Sequence, residues 1–119
     1  MPHIILVDDN LSSIQLLRVL LEMDSFSVTC ATNKESARAC ITGQVDAFVI
    51  DYHLAGNDTG LELLQEIRTG QTSTRKDIPI IITSGDARRA ETALQAGADR
   101  FFLKPFPFRE LLADLKTRL

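Results

Sequence analysis

Three carboxylates, one hydroxyl and one ammonium group stand at comparable places in this sequence, each directly after a short apolar run. These residues are Asp8, Asp9, Asp51, Ser84 and Lys104. In an open parallel α/β sheet, the carboxyl ends of the strands share one edge, and chemistry takes place in the crevice beyond it. If each apolar run is a strand of one sheet, these five side chains meet at that edge although they lie far apart in the sequence.

The residue types predict a particular chemistry for that edge. Carboxylates crowded in one crevice repel one another and raise a pKa unless a cation lies among them. Oxygen donors without His or Cys select a hard cation, here Mg²⁺ or Mn²⁺. Lys104 adds a second positive charge and Ser84 adds a hydroxyl donor. A metal ion, an ammonium group and a hydroxyl around the Asp51 carboxylate are suited to phosphoryl transfer onto that carboxylate.

The elements that must position these groups follow from the periodicity of the sequence. Apolar runs predict strands at residues 4–7, 26–31, 45–51, 79–83 and 100–103. Between and after them, helical patterns begin at Ser12 or Ser13, at capping boxes over residues 32–35 and 59–62, near residue 87 and at Pro107. Five strands alternating with five helices predict an α/β fold, a doubly wound five-stranded parallel sheet with helices on both faces, in three layers.

Smaller signals mark the helix ends and the inward faces. Gly43 and Gly97 are predicted to end the second and fourth helices. The apolar stripe of the last helix is predicted to consist of Leu111, Leu112, Leu115 and Leu119.

Length and composition limit the classes of protein. The 119 residues are predicted to form one domain, residues 1–119, with one core. The net charge of −3 argues against a nucleic-acid or membrane surface. The sequence has no run of transmembrane length and no signal peptide pattern. Cys30 and Cys40 lack metal-ligand spacing, so we expect buried free thiols in a reducing cytoplasm.

The whole chain resembles a response-regulator receiver domain, the chemotaxis-regulator-like module with the flavodoxin-like (βα)5 fold. The residues that carry the resemblance are Asp8-Asp9, Asp51, Ser84-Gly85, Ala96-Gly97-Ala98-Asp99 and Lys104-Pro105-Phe106. Each of these marks is weak alone. Together, in this order and at consistent spacing, they are highly specific.

The resemblance implies a role for each residue of the metal and acceptor site. Asp51 would be the phosphoacceptor. Asp9 would bind Mg²⁺ directly, Asp8 would act mainly through bound water, and the backbone carbonyl of His53 would be the third protein ligand. The side chains of His53 and Asp86 would tune dephosphorylation by steering the attacking water.

The resemblance also implies a switch. Lys104 would pair with the phosphoryl group, and its peptide bond to Pro105 would be cis. Ser84 would move toward a phosphoryl oxygen, and Phe101, at the family's switch aromatic position, would turn inward. Thr83 competes weakly with Ser84, which strand alternation and the small Gly85 favour.

The implied function is a signalling switch rather than a conventional enzyme. The domain would take a phosphoryl group from a histidine kinase or phosphotransfer protein, catalysing its own Mg²⁺-dependent phosphorylation and a slow autodephosphorylation. The face formed by the fourth helix, fifth strand and fifth helix would then bind an output domain, a target or a second copy, with no direct contact to nucleic acid or membrane. The sequence leaves the kinase, the output and the oligomeric state open.

The chain departs from the family pattern at three places. Ala55 replaces the usual proline, Phe101 replaces tyrosine, and the segment between Ser84 and Lys104 is slightly short.

The sequence also leaves two rival functions. One is a phosphorylation-independent binding module on the same fold, which intact Asp51, Asp9 and Lys104 argue against. The other is an aspartyl phosphatase or flavin protein. The phosphatase would need an acid where this chain has His53, and Asp8-Asp9 would repel a flavin phosphate.

Overall fold

The protein is a five-stranded parallel sheet between two layers of helices. The computed structural model describes the backbone of residues 1–119 and all side chains except that of Ala55, so the departure predicted there lies outside the described side chains. The strands are β1 (His3–Val7), β2 (Ser27–Ala31), β3 (Ala47–Asp51), β4 (Ile80–Ser84) and β5 (Arg100–Leu103), in the order β2-β1-β3-β4-β5. Every neighbouring pair is parallel, which confirms the predicted fold class.

Five α-helices cover the two faces of the sheet. They are α1 (Leu11–Met23), α2 (Lys34–Cys40), α3 (Gly60–Arg68), α4 (Ala90–Gln95) and α5 (Phe108–Arg118), with 3-10 turns at Ala55–Asn57 and Ala87–Arg89. Buried side chains of α2, α3 and α4 share one core cluster, and those of α1 and α5 share the other. The three layers predicted from the alternation are therefore present.

The central strands are buried on both faces because their sequences are nearly all apolar. Every residue of β3 and β4 is buried. Alternate side chains face opposite layers: Ile80 and Ile82 pack toward α2, α3 and α4, whereas Ile81 packs toward α1 and α5. With both faces covered, the strand ends are where polar side chains can reach solvent.

Two predicted helix starts were wrong by one or more residues. Asn10, not Ser12 or Ser13, caps α1, and its Oδ1 accepts a hydrogen bond from the Ser13 N–H at 3.1 Å. The capping box of α2 is formed by Asn33 and Ser36, one residue later than predicted. In both cases an asparagine, which caps as well as serine and better than threonine, takes the position.

The capping box that starts α3 is confirmed. Thr59 Oγ1 accepts from the Glu62 N–H, and Glu62 Oε1 accepts from the Thr59 N–H, each at 3.3 Å. This box begins α3 directly after the loop that follows Asp51.

Helix ends and the fourth helix also differ in part from the prediction. Gly97, with φ of 111°, ends α4 as predicted. Gly43 does not end α2, which stops at Cys40 because Ile41 is extended and packs against the core. The predicted fourth helix from residue 87 begins as a 3-10 turn and becomes α-helical only at Ala90. Leu119 is 44% exposed and is not part of the inward face of α5.

The two cysteines lie in partly exposed positions. Cys30 and Cys40 are free thiols as predicted, but both are half-buried rather than buried. Burial nonetheless raises the pKa of the Cys30 thiol.

Among the helices of the described chain, none has both the length and the apolar character needed to cross a bilayer.

Candidate functional site

The carboxyl edge of the sheet, where β1, β3, β4 and β5 end, carries a cluster of three carboxylates. Asp8 and Asp9 follow β1, and Asp51 ends its neighbour β3. One oxygen from each lies within 4.8 Å of the others. Asp8 is 6% exposed and Asp51 8%, whereas Asp9 is exposed. The structure thus brings together the three acids that the sequence predicted to meet.

Lys104 provides the positive charge that this cluster needs. Its Nζ lies 2.9 Å from Asp8 Oδ2 and 3.2 Å from Asp51 Oδ2. Its backbone N–H donates to the Ser84 carbonyl at 2.8 Å, which fixes the end of β5 against β4. The peptide bond between Lys104 and Pro105 is cis. One ammonium group therefore bridges two of the three carboxylates.

The charge balance at the edge changes the acidity of Asp51. Burial raises the pKa of Asp51, the Lys104 ammonium lowers it, and the nearby Asp8 charge raises it, with a net result of about 6. Burial of Lys104 disfavours its charged form, but its bonds to Asp8 and Asp51 outweigh that cost and raise its pKa. Without a metal ion, one ammonium group does not compensate the buried carboxylates fully.

This raised pKa predicts a pH-dependent stability that the Asp51→Asn variant lacks. A carboxyl whose folded pKa exceeds its unfolded pKa stabilises the fold at low pH, and this contribution is lost as pH rises. In EDTA, the melting temperature of the wild type should fall relative to Asp51→Asn as pH rises from about 4 to about 6. Thermal denaturation of both proteins across this range measures the difference, and a constant difference would contradict the assignment.

The donor set suits a small divalent cation. All three side chains offer carboxylate oxygens, and no His or Cys side chain belongs to this cluster of the described residues. Such a set favours Mg²⁺ or Mn²⁺ over zinc or copper. A cation there would supply the positive charge that Lys104 alone does not. The His53 carbonyl, two residues beyond Asp51, remains a predicted ligand.

The two candidate hydroxyls at the end of β4 face opposite layers. Thr83 lines a cavity of about 490 Å³ on the α1 and α5 side, whose wall includes Asp8 and Lys104. By strand alternation Ser84 lies on the same face of the sheet as Ile82. Phe101 packs against the core cluster that contains Ile82. Ser84 is fully buried, and its Oγ accepts a hydrogen bond from the Asp86 N–H at 3.0 Å. Ser84 and Phe101 therefore lie on one side of the sheet.

The two residues predicted to tune hydrolysis lie in different settings. The side chain of His53 is exposed, with its ring centroid 5.0 Å from that of Tyr52. The Asp86 carboxylate is bound by the Arg88 guanidinium at 3.0 and 2.9 Å. This pairing holds the pKa of Asp86 down to about 2.

Sequence reasoning missed one contact beside the acceptor. The Arg89 guanidinium lies over the Tyr52 ring, with its carbon 5.3 Å from the ring centroid. Neither Tyr52 nor Arg89 was among the site residues predicted from the sequence. Arg89 ends the 3-10 turn Ala87–Arg89 and is half-buried, and the regular helix predicted from residue 87 did not indicate its contact with Tyr52.

Comparison with known proteins agrees with this geometry. The protein-family model for the response regulator receiver domain matches residues 4–116 of this chain. The regulatory protein VirG of Agrobacterium tumefaciens is 37% identical over 124 residues, which cover 100% of this chain and 44% of VirG. The chain thus spans less than half of that relative's length.

Two solved structures share the fold at comparable similarity. The response regulator TrrA of Thermotoga maritima, in complex with Mg²⁺ and BeF, is 30% identical over the full length of both chains, with a TM-score of 0.87. A response regulator of Burkholderia pseudomallei, with a phosphorylated aspartic acid, a calcium ion and citrate, is 29% identical with a TM-score of 0.83, covering 98% of this chain and 68% of that one. The chain belongs to the response regulator receiver domain family, whose members serve in two-component signalling.

Proposed function

We propose that this domain is a phosphorylation-activated switch whose acceptor is Asp51. The observation that carries the proposal is the single cluster in which Lys104 bridges Asp8 and Asp51 beside Asp9. A buried carboxylate held next to an ammonium group and two further acids is arranged for phosphoryl transfer. The phosphorylated aspartic acid and calcium ion of the Burkholderia pseudomallei relative, and the Mg²⁺ and BeF of TrrA, support the same chemistry.

The transfer uses groups that are already in place. An oxygen of ionised Asp51 attacks the phosphorus of a phosphohistidine on a histidine kinase or phosphotransfer protein. The phosphorus–nitrogen bond breaks, its electron pair goes to the imidazole, and an acyl phosphate forms on Asp51. Lys104, 3.2 Å from Asp51 Oδ2, stabilises the charge on the phosphoryl oxygens. Acetyl phosphate can serve as a small donor.

The metal site uses the other two acids. Asp9 is the exposed carboxylate and would hold Mg²⁺ or Mn²⁺ directly, with Asp51 and the His53 carbonyl, and Asp8 would act mainly through bound water. When bound, the divalent cation would neutralise charge on the transferred group. Hydrolysis of the acyl phosphate by water at the same site returns Asp51 to its free form, and His53 and Asp86 tune that step. The half-lives of phosphorylated His53→Ala and Asp86→Ala test this role, and wild-type half-lives would contradict it.

The switch runs from Ser84 to the surface formed by α4, β5 and α5. Ser84 moves toward a phosphoryl oxygen and opens space that Phe101 enters, because both lie on the same side of the sheet. The change alters this surface, which contacts an output domain, a target protein or a second copy of the chain. The receiver itself does not contact nucleic acid or membrane, in keeping with its net charge of −3.

Nuclear magnetic resonance tests the coupling between Asp51 and this surface. With ¹⁵N-labelled protein, Mg²⁺ and beryllofluoride together should shift the amide signals of Asp51, Ser84 and Phe101. Asp51→Asn should show no such shifts. Identical spectra with and without beryllofluoride in the wild type would contradict the proposal and favour a phosphorylation-independent binding module.

The missing phenol at the switch position gives a separate prediction. Phe101→Tyr adds one hydroxyl to a half-buried ring on β5. If the phenol can form a hydrogen bond in only one of the two ring positions, inward or outward, it should favour that position. The equilibrium between the two positions should then shift by about 1 kcal/mol, or about fivefold. Sedimentation equilibrium with beryllofluoride measures the change in dimerisation. Unchanged self-association would show that the phenol is irrelevant to this surface.

A further inference from the structure

The segment from Ser84 to Ala90, here called the switch segment, is held by its own hydrogen bonds. Ser84 Oγ accepts from the Asp86 N–H at 3.0 Å. The Asp86 carboxylate in turn accepts from the Arg88 N–H at 3.0 Å and caps the 3-10 turn Ala87–Arg89. The position of the Ser84 hydroxyl is therefore tied to the conformation of this turn.

The two arginines of the turn make different contacts. The Arg88 side chain is 87% exposed, and its guanidinium pairs with Asp86. Arg89 is half-buried, and its Nε lies 3.7 Å from Asp86 Oδ2. That Nε is buried and has no hydrogen-bond partner among the described residues. Charge attraction, rather than a formed hydrogen bond, holds the Arg89 head group.

The other surface that Arg89 contacts is Tyr52, which is fixed to the acceptor strand. The Tyr52 N–H donates to the Thr83 carbonyl at 2.8 Å, and its carbonyl accepts from the Gly60 N–H at 2.7 Å. Its side chain is 6% exposed. At 5.3 Å from the ring centroid, the Arg89 guanidinium is within the range of a cation–π interaction. Arg89 thus joins the switch segment to the residue that directly follows Asp51.

We propose that Arg89, held over Tyr52, restrains the switch segment in the conformation in which Ser84 is bonded to Asp86. This inference rests on the proposed function and adds a restraint to it. The Ser84 hydroxyl can move toward a phosphoryl oxygen on Asp51 either by losing its hydrogen bond from the Asp86 N–H or by carrying the turn with it, and holding the turn at Tyr52 opposes both. A contact made in only one of two states favours that state. Arg89 is therefore a positioning residue that opposes activation.

Beryllofluoride affinity at saturating Mg²⁺ tests the restraint, with Arg88→Gln as the matched control. Both substitutions remove one positive charge beside Asp86, but only Arg89→Gln removes the contact with Tyr52. Arg89→Gln should bind beryllofluoride about two- to tenfold more tightly than Arg88→Gln, as expected for one cation–π contact. Equal affinities, or weaker binding by Arg89→Gln, would overturn the restraint.

Two further measurements separate this role from a structural one and from the proposed function itself. Tyr52→Phe keeps the aromatic ring, so its beryllofluoride affinity should equal that of the wild type; a gain in affinity would count against the ring contact. A residue that only stabilises the fold would lower the melting temperature without raising the affinity. Equal beryllofluoride binding by wild type and Asp51→Asn would contradict the proposed function. Binding by the wild type but not by Asp51→Asn, together with equal affinities of Arg89→Gln and Arg88→Gln, would contradict only the restraint.

Discussion

A single added methyl group at Gly60 is expected to destabilise the domain and displace its acceptor. Gly60 is the first residue of α3, and an added Cβ would overlap the Asp51 carbonyl oxygen and lie 2.5 Å from Ile50 Cγ2. Overpacking of this kind costs about 3 kcal/mol. Alanine's better helix propensity returns about 1 kcal/mol. The free energy of unfolding of Gly60→Ala should therefore fall by about 2 kcal/mol relative to wild type.

Urea denaturation measures this loss, and Gly85→Ala is the control. Gly85 is exposed, and apart from Gly85 and its two chain neighbours no described atom lies within 4 Å of a Cβ built there, so the same substitution should change the free energy of unfolding by less than about 0.5 kcal/mol. Because the overlap involves the backbone of Asp51 itself, Gly60→Ala should also accept a phosphoryl group more slowly. Wild-type stability and wild-type labelling together would show that the close contact between α3 and β3 is not needed.

Replacing Lys104 with methionine is expected to remove most of the transfer rate without removing the metal site. Lys104 is the cation that bridges Asp8 and Asp51, and losing one such electrostatic group slows comparable reactions by about 100-fold. The three carboxylates remain, so Mg²⁺ affinity should be largely intact. Coupling to Phe101 should be weakened because the phosphoryl group loses its contact with the end of β5.

Three measurements follow these effects, with Lys116→Met as the control. Lys116 is exposed and pairs with Asp24, which follows the end of α1, whereas Asp8 and Asp9 precede its start. Acetyl phosphate labelling should be slow only in Lys104→Met. Mg²⁺ titration should give similar affinities in both variants, and the beryllofluoride shift of the Phe101 amide should shrink only in Lys104→Met. A Lys104→Met variant that labels and shifts like the control would contradict the role of this ammonium group.

The sequence was sufficient to predict which residues meet at the carboxyl edge. Apolar runs set the strands, each strand ends where a polar residue appears, and parallel strands place those ends together. This reasoning located Asp8, Asp9, Asp51 and Lys104 correctly, because a one-residue error in a strand boundary does not move a residue to another edge. Strand alternation also favoured Ser84 over Thr83, whereas the shared face of Ser84 and Phe101 became visible only in the structure.

Details that depend on competition between neighbouring residues were not predictable in the same way. Asn10 and Asn33 displaced the expected caps because several adjacent side chains can serve that position. Arg68, the last residue of α3, was assigned no role from the sequence, yet its guanidinium donates to the carbonyls of Ile78 and Gly97 and to the carboxylate of Asp99. Such contacts join residues far apart in the sequence, and periodicity carries no information about them.

The central claim is that Asp51 accepts a phosphoryl group in a Mg²⁺-dependent reaction. Intact mass spectrometry after incubation with acetyl phosphate tests it most directly, with and without Mg²⁺, for wild type and Asp51→Asn. The structure predicts one phosphoryl adduct on the wild type, present only with Mg²⁺ and absent from Asp51→Asn. An adduct that forms equally on Asp51→Asn, or that does not need the metal ion, would contradict the claim.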